Sequence, residues 1–267
     1  LNNLFTAAKR CFLIADPDEK LDASLALVAD WRAGRLSWDA DDEPEQLLVP
    51  GRLERPLLVP PQQVSKRGFG SLTRRAALIH ALAHIELTAV NLAWDTIYRF
   101  RGLPRAYYED WLQCAGEESE HFLALRGRLR DMGYDYGDFS AHDELWGSAV
   151  ETAHELMDRM GIVHRVFEAR ALDVVPKTLE KFQELGDSAT AAILTRIAND
   201  EIGHVSAATR WFRYRCEQQG LDPDATFFTL LQRYLGHIPR GPFNHEARRR
   251  CGFSGQELAR LEAGDGR

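Results

Sequence analysis

The chain has 267 residues, 45% of them hydrophobic, which is enough to bury a real core without the disulfide or metal staples that a very short chain needs. Acidic side chains outnumber basic ones 40 to 33, for a formal net charge of -7, so no global positive field draws the protein toward nucleic acid or an anionic membrane. The four cysteines, Cys11, Cys114, Cys216 and Cys251, lie far apart, which excludes a CxxC pair and a dense disulfide framework and points to a reducing cytoplasm.

Residues 4–15 and 18–33 repeat Ala, Leu and Val at three- and four-residue spacing, which predicts two short helices separated by Asp16-Pro17 and ended by Gly34. The apolar stretch Cys11 to Ala15 is too short for a signal-peptide core, and no membrane span is expected. From Ser37 to Gly70 the prolines Pro44, Pro50, Pro56, Pro60 and Pro61, with several glycines, predict a long loop, because such a composition sustains neither helix nor central strand.

Four long helical patterns follow, at about 71–100, 104–132, 143–182 and 187–219. Ser71 is placed to cap the first, and Gly102 with Pro104 makes a tight reversal into the second. Gly133 ends the second, and Gly186-Asp187-Ser188 separates the third from the fourth. Short reversals make the first and second, and the third and fourth, antiparallel neighbours. Pro176 predicts a bend near Val175 within the third. Shorter helices are predicted at 222–236 and 254–262, with an extended stretch from His237 to Phe243 between them. The expected class is all-α, with N-terminal helices and a proline-rich loop over 1–70, a four-helix bundle over 71–219 and a C-terminal helical extension over 220–267.

The second and fourth patterns contain Glu118-Ser-Glu-His121 and Glu201-Ile-Gly-His204, and helical positions i and i+3 share a face. Each pair therefore offers a carboxylate and an imidazole together. A glutamate precedes each on the preceding pattern, Glu86 by 32 residues and Glu168 by 33. In an antiparallel hairpin of such helices, residues about 30 apart return to the same height, since each adds about 1.5 Å of rise. Packing the two hairpins together would converge four carboxylates and two imidazoles on one level of the core, a ligand set suited to two metal ions. Unpartnered, four buried carboxylates would be very costly, and two divalent cations neutralise them. Glu117 and Asp200 stand four residues before His121 and His204, a spacing from which an acid can orient an imidazole on its own helix or on the other.

Glu86, Glu118-x-x-His121, Glu168 and Glu201-x-x-His204, in that order over residues 71–219, resemble the ferritin-like superfamily. The segments His80-Ala-Leu-Ala-His84-Ile-Glu86, Phe167-Glu168-Ala-Arg-Ala-Leu-Asp173 and Asn199-Asp200-Glu201-Ile-Gly-His204 look more closely like the bacterial family of domain of unknown function 455. The resemblance implies a ferritin-like fold with a di-iron centre. It would make Glu118 and Glu201 the bridging carboxylates and Glu86 and Glu168 the terminal ones, with one histidine on each metal. It names no substrate.

Other candidates weigh less. Glu151-Thr-Ala-His154 repeats the spacing by accident of composition, since Glu151 stands 17 residues before Glu168, about 25 Å along a continuous helix. Surface roles are expected for both. His80 and His84 form an HxxxH pair, yet Glu86 faces nearly the opposite side from His84, so packing and hydrogen bonding are expected of them. His164, one turn before Glu168, reads either as a partner of the metal ligands or as a satisfied core histidine. Trp94, Tyr98, Trp111, Trp211 and Tyr214 are expected to be packing residues. The runs Lys66-Arg67, Arg74-Arg75 and Arg248-Arg249-Arg250 read as solvated faces.

The expected cofactor is a pair of iron ions, with manganese or a mixed iron–manganese pair accepted by the same ligands. The first functional expectation is an oxygenase or oxidase in which Glu86, Glu118, Glu168 and Glu201 are the catalytic carboxylates, dioxygen is a partner, and the small-molecule substrate and electron donor are unidentified. The segments flanking the bundle are long enough to build a pocket. The alternative is a ferroxidase, iron-handling or peroxide-detoxifying protein without an organic substrate; a purely structural bundle and a redox-inert metallohydrolase rank lower. No membrane or nucleic-acid partner is expected, though transfer RNA, which some ferritin-like enzymes hydroxylate, stays open, as does a homodimer.

Overall fold

Helix starts follow local chemistry in this computed structural model, which describes residues 2–39 and 43–264. Asn3 accepts from the amides of Phe5 and Thr6, Asp16 from those of Asp18 and Glu19 ahead of Pro17, and Ser71 from that of Arg74. Each such cap contributes about 1 kcal/mol by satisfying an otherwise orphaned donor. The chain is all-α, and among the described residues its β-structure is limited to two-residue strands, Asn2–Asn3 (β1) and Leu36–Ser37 (β2), paired in parallel, and a bridge between Leu58 and Ala141. Two compact units divide it, Leu1–Gly147 and Ser148–Arg267.

The first unit holds α1 (Leu4–Leu13), α2 (Pro17–Arg32), α3 (Leu72–Arg99), α4 (Arg105–Asp131) and the first half of α5 (Glu144–Glu151). Helices α3 and α4 pack along each other as a hairpin, with α1 against α3 and α2 against α4. Phe12, Leu21, Val90, Leu92, Ile97, Tyr107 and Trp111 are buried in its core. Trp94, also buried, donates through Nε1 to Ser24 Oγ at 2.8 Å, which ties α3 to α2. By length and composition α3 could cross a membrane, which the sequence reading did not anticipate; about two-thirds of its most apolar window is buried inside the fold, and core packing accounts for that composition.

The loop predicted over 37–70 is fixed as a strap by backbone bonds. Gly51 N–H donates to Phe12 O at 2.9 Å, Val59 N–H to Ala141 O at 2.9 Å, and Trp146 Nε1 to Leu48 O at 2.8 Å. Gly51 is required where it stands, because a Cβ there would lie 2.1 Å from the carbonyl oxygen of Leu13.

The second unit contains α6 (Leu156–Arg159), a π-helical segment (Met160–Glu168), α7 (Arg170–Glu184), α8 (Ser188–Gln218), α9 (Pro223–Leu235), α10 (His245–Arg250) and α11 (Gly255–Ala263). Helix α7 and the π-helical segment both pack along α8. Arg165 is buried with its guanidinium 4.8, 4.4 and 4.4 Å from the rings of Phe212, Phe227 and Phe253, and donates to Glu257 at 2.7 Å. Arg248 pairs with Asp173 at 2.7 Å, which joins α10 to α7.

Three local expectations need correction. The pattern over 143–182 is not one helix: it is broken at 152–155 and underwound into the π-helical segment, while Pro176 lies inside the continuous α7. Residues 245–250 form a helix capped by Asn244 that the sequence reading omitted. Arg248, read as part of a solvated run, is buried, because Asp173 supplies the carboxylate that its burial requires.

His80 is buried and its Nε2 accepts the Gly137 amide at 3.0 Å while its ring stacks on Tyr136, so protonation would break a bond as well as bury a charge. Burial, with His84 adding to it, pushes His80 from 6.5 down to about 4. The unfolded chain therefore takes up a proton in this window before the folded chain does, and stability should be lost as pH falls from about 6.5 toward about 4. Urea titrations should show a loss of about 1–2 kcal/mol by pH ~5, and His80→Gln should flatten that slope. An unchanged slope in the variant would show that His80 does not carry it.

Candidate metal centre

Glu86 sits midway along α3, and Glu118 and His121 sit one turn apart on α4, so the α3/α4 hairpin brings all three to one level. His121 Nδ1 lies 3.2 Å from Glu86 Oε2 and 3.3 Å from Glu118 Oε2, and the three side chains are buried. Each offers a ligand atom within 4.8 Å of the others.

Burial first, and then the neighbouring charge of Glu118, raises the Glu86 carboxyl well above the ordinary carboxylate range. Burial works against a charged His121, but its contacts with Glu118 and Glu86 outweigh burial and push it up to about 11. One imidazolium thus faces two buried carboxylates. A divalent cation would do the same electrostatic work with better geometry, and oxygen and imidazole donors together suit iron or manganese.

In the second unit, Glu201 and His204 share one face of α8, with His204 Nδ1 3.9 Å from Glu201 Oε2, and both are buried. Glu168 ends the π-helical segment and is hydrogen-bonded through Oε2 to Nδ1 of buried His164. A π-helical turn widens the local spacing and is a frequent feature of functional sites. Each unit therefore carries buried glutamate and histidine side chains one helical turn apart, Glu118 with His121 and Glu201 with His204, while Glu168 sits in a π-helical register that the sequence reading did not predict.

A family model described as "Protein of unknown function (DUF455)" matches residues 13–259. The chain belongs to the DUF455 family. An uncharacterized protein of Haemophilus influenzae is 43% identical over 212 residues, covering 77% of this chain and 74% of its own length. No solved structure matches.

The match of this DUF455 chain spans both pairs. Glu117 accepts from Gln113 Nε2 at 2.9 Å, and Asp200 lies 3.5 Å from Arg196 Nε. His154, read as a surface residue, has a side chain 65% exposed and lies 3.5 Å from Asp158. His84 bonds through Nδ1 to the Tyr136 hydroxyl at 2.8 Å, in keeping with the hydrogen-bonding role expected of it. Two features escaped the sequence reading: the π-helical segment, which leaves no residue-type signature, and buried Lys20, whose place on an amphipathic helix resembles that of any surface lysine.

Replacing Glu86 by Gln removes a repelling carboxylate, so the metal-free variant should be as stable as the parent or more stable by about 0.5–2 kcal/mol. Thermal scans with and without added ferrous or manganous ion should show a metal-dependent rise in the parent that Glu86→Gln largely loses. Equal rises in both proteins would remove Glu86 from the ligand set.

Proposed function

We propose that this DUF455 protein is a ferritin-like di-iron carboxylate oxidoreductase, whose glutamates and histidines hold two iron ions that activate dioxygen to oxidise or hydroxylate a small molecule. The observation that carries the proposal is the buried Glu86–Glu118–His121 cluster, whose repelling carboxylates call for a cation. Support also comes from the second Glu-x-x-His pair, Glu201 and His204, with Glu168 upstream at nearly the same interval. Such a ligand set is that of the di-iron and di-manganese carboxylate bundles.

A bound iron pair would supply reversible electron storage and reduction of dioxygen. Glu86, Glu118, His121, Glu168, Glu201 and His204 would hold the ions. His164 would hold the Glu168 carboxylate through its Nδ1 contact and so restrict where that carboxylate can swing. Burial of Glu86, Glu118 and His121 keeps bulk water from competing for those positions. A reducing cytoplasm fits the four cysteines, which are buried and form no disulfide among the described residues.

Anaerobic reconstitution with ferrous iron should load about two irons per chain, and the loaded protein should consume dioxygen. His121→Ala and His204→Ala should each cut loading about tenfold or more, while His154→Ala should leave it unchanged. Equal loss in His154→Ala, or one zinc per chain in place of iron, would contradict the proposal. Continued loading well beyond two irons would favour iron handling instead.

A further inference from the structure

A pocket in the first unit, partly open to solvent, encloses a cavity of about 40 Å³. Lys20, Arg52 and Asn91 supply its polar groups, and Leu53, Leu87 and Trp146 are among its apolar walls. It lies across α3 from the Glu86–Glu118–His121 cluster: His84, Thr88 and Asn91 line it, and these positions are turned about 140–200° around the helix from Glu86.

Lys20 is the unusual member. It is 1% exposed, and its ammonium donates to Phe12 O at 2.9 Å and to Asn91 Oδ1, both uncharged acceptors. No carboxylate is bonded to it among the described residues. Arg52, in contrast, has its charge balanced by Asp143 at 2.8 Å. Arg55 also lines the pocket, so its cations outnumber its one carboxylate, Asp143, and a buried charge such as that of Lys20 without a counter-charge is costly. Burial accordingly pushes Lys20 down to about 7, Cys11 on α1 works in the opposite direction, and Arg52 lowers it further. The remaining titratable groups facing the pocket are Asp143, already paired, and Tyr136 and His84, hydrogen-bonded to each other.

We propose that this pocket binds a small carboxylate bearing a short apolar chain, its carboxylate held by Lys20 and Arg52 and its chain by Leu53, Leu87 and Trp146. The apolar walls select a hydrocarbon body over a bare inorganic ion such as phosphate. Occupancy restores the counter-charge that Lys20 lacks, so binding takes up a proton wherever the free lysine is partly neutral.

Calorimetric titration of the metal-loaded full chain with butyrate, 1-butanol and inorganic phosphate tests this. Butyrate should bind saturably, about tenfold or more tighter than either comparator. Its affinity should fall about fivefold or more between pH ~6.5 and pH ~8.5, and buffer-dependent heats near pH ~7.5 should show proton uptake. Lys20→Met should abolish binding with the iron content unchanged, and Arg52→Gln should weaken it. Absence of saturable butyrate binding at about 20 mM would overturn the proposal, as would phosphate binding as tight as that of butyrate or undiminished affinity in a folded Lys20→Met variant. If Lys20→Met does not fold, butyrate binding without proton uptake by the parent protein overturns it equally.

Discussion

Two carboxylates and an imidazole meet inside the α3/α4 hairpin, and the rest of the first unit is arranged around the cost of keeping them there. An isolated buried carboxylate costs several kcal/mol, and a second one beside it adds repulsion. Glu86 answers that cost by holding its proton to unusually high pH, and His121 answers it by carrying charge. Neither response would be needed if these positions were apolar, and an apolar replacement of the same volume would pack well. The cluster is therefore a sacrifice of stability, of the kind that binding sites make.

That sacrifice is offset by packing on every other side. Helices α1 and α2 cover α3 and α4, and the strap carrying Leu48 and Gly51 closes the α1 side through bonds with Trp146 and Phe12. The second unit solves a related problem differently. Two of its buried arginines, Arg165 and Arg248, each meet one carboxylate, Glu257 and Asp173, among aromatic rings. Each of these pairs sets one cation against one carboxylate and joins helices, whereas the Glu86–Glu118–His121 cluster sets two carboxyl groups against one imidazole.

Much of this was legible in the sequence because helix periodicity and capping residues are local. Ser71, Gly102, Pro104, Gly133 and Asp187 marked the ends of α3, α4 and α8 to within a residue or two. Glu86, Glu118 and His121 followed from arithmetic alone, since a tight reversal and a fixed rise per residue determine which positions face each other. The segment over 143–182 was misread for the converse reason. A π-helical turn keeps helical composition while changing the register, so Met160–Glu168 looked like ordinary helix, and Pro176 drew attention away from the true break at 152–155. Lys20 and Arg248 were invisible because burial of a cation is decided by distant residues, Asn91 in one case and Asp173 in the other.

The central proposal is that the buried glutamates and histidines bind irons as a coupled pair. A Mössbauer spectrum of the protein, loaded anaerobically with ⁵⁷Fe and then oxidised, tests it directly. Exchange-coupled ferric pairs would give quadrupole doublets that stay unsplit in an applied field at low temperature, with almost no ferric signal by electron paramagnetic resonance. A magnetically split spectrum of isolated high-spin ferric ions, in a folded protein of full iron content, would contradict the coupled pair.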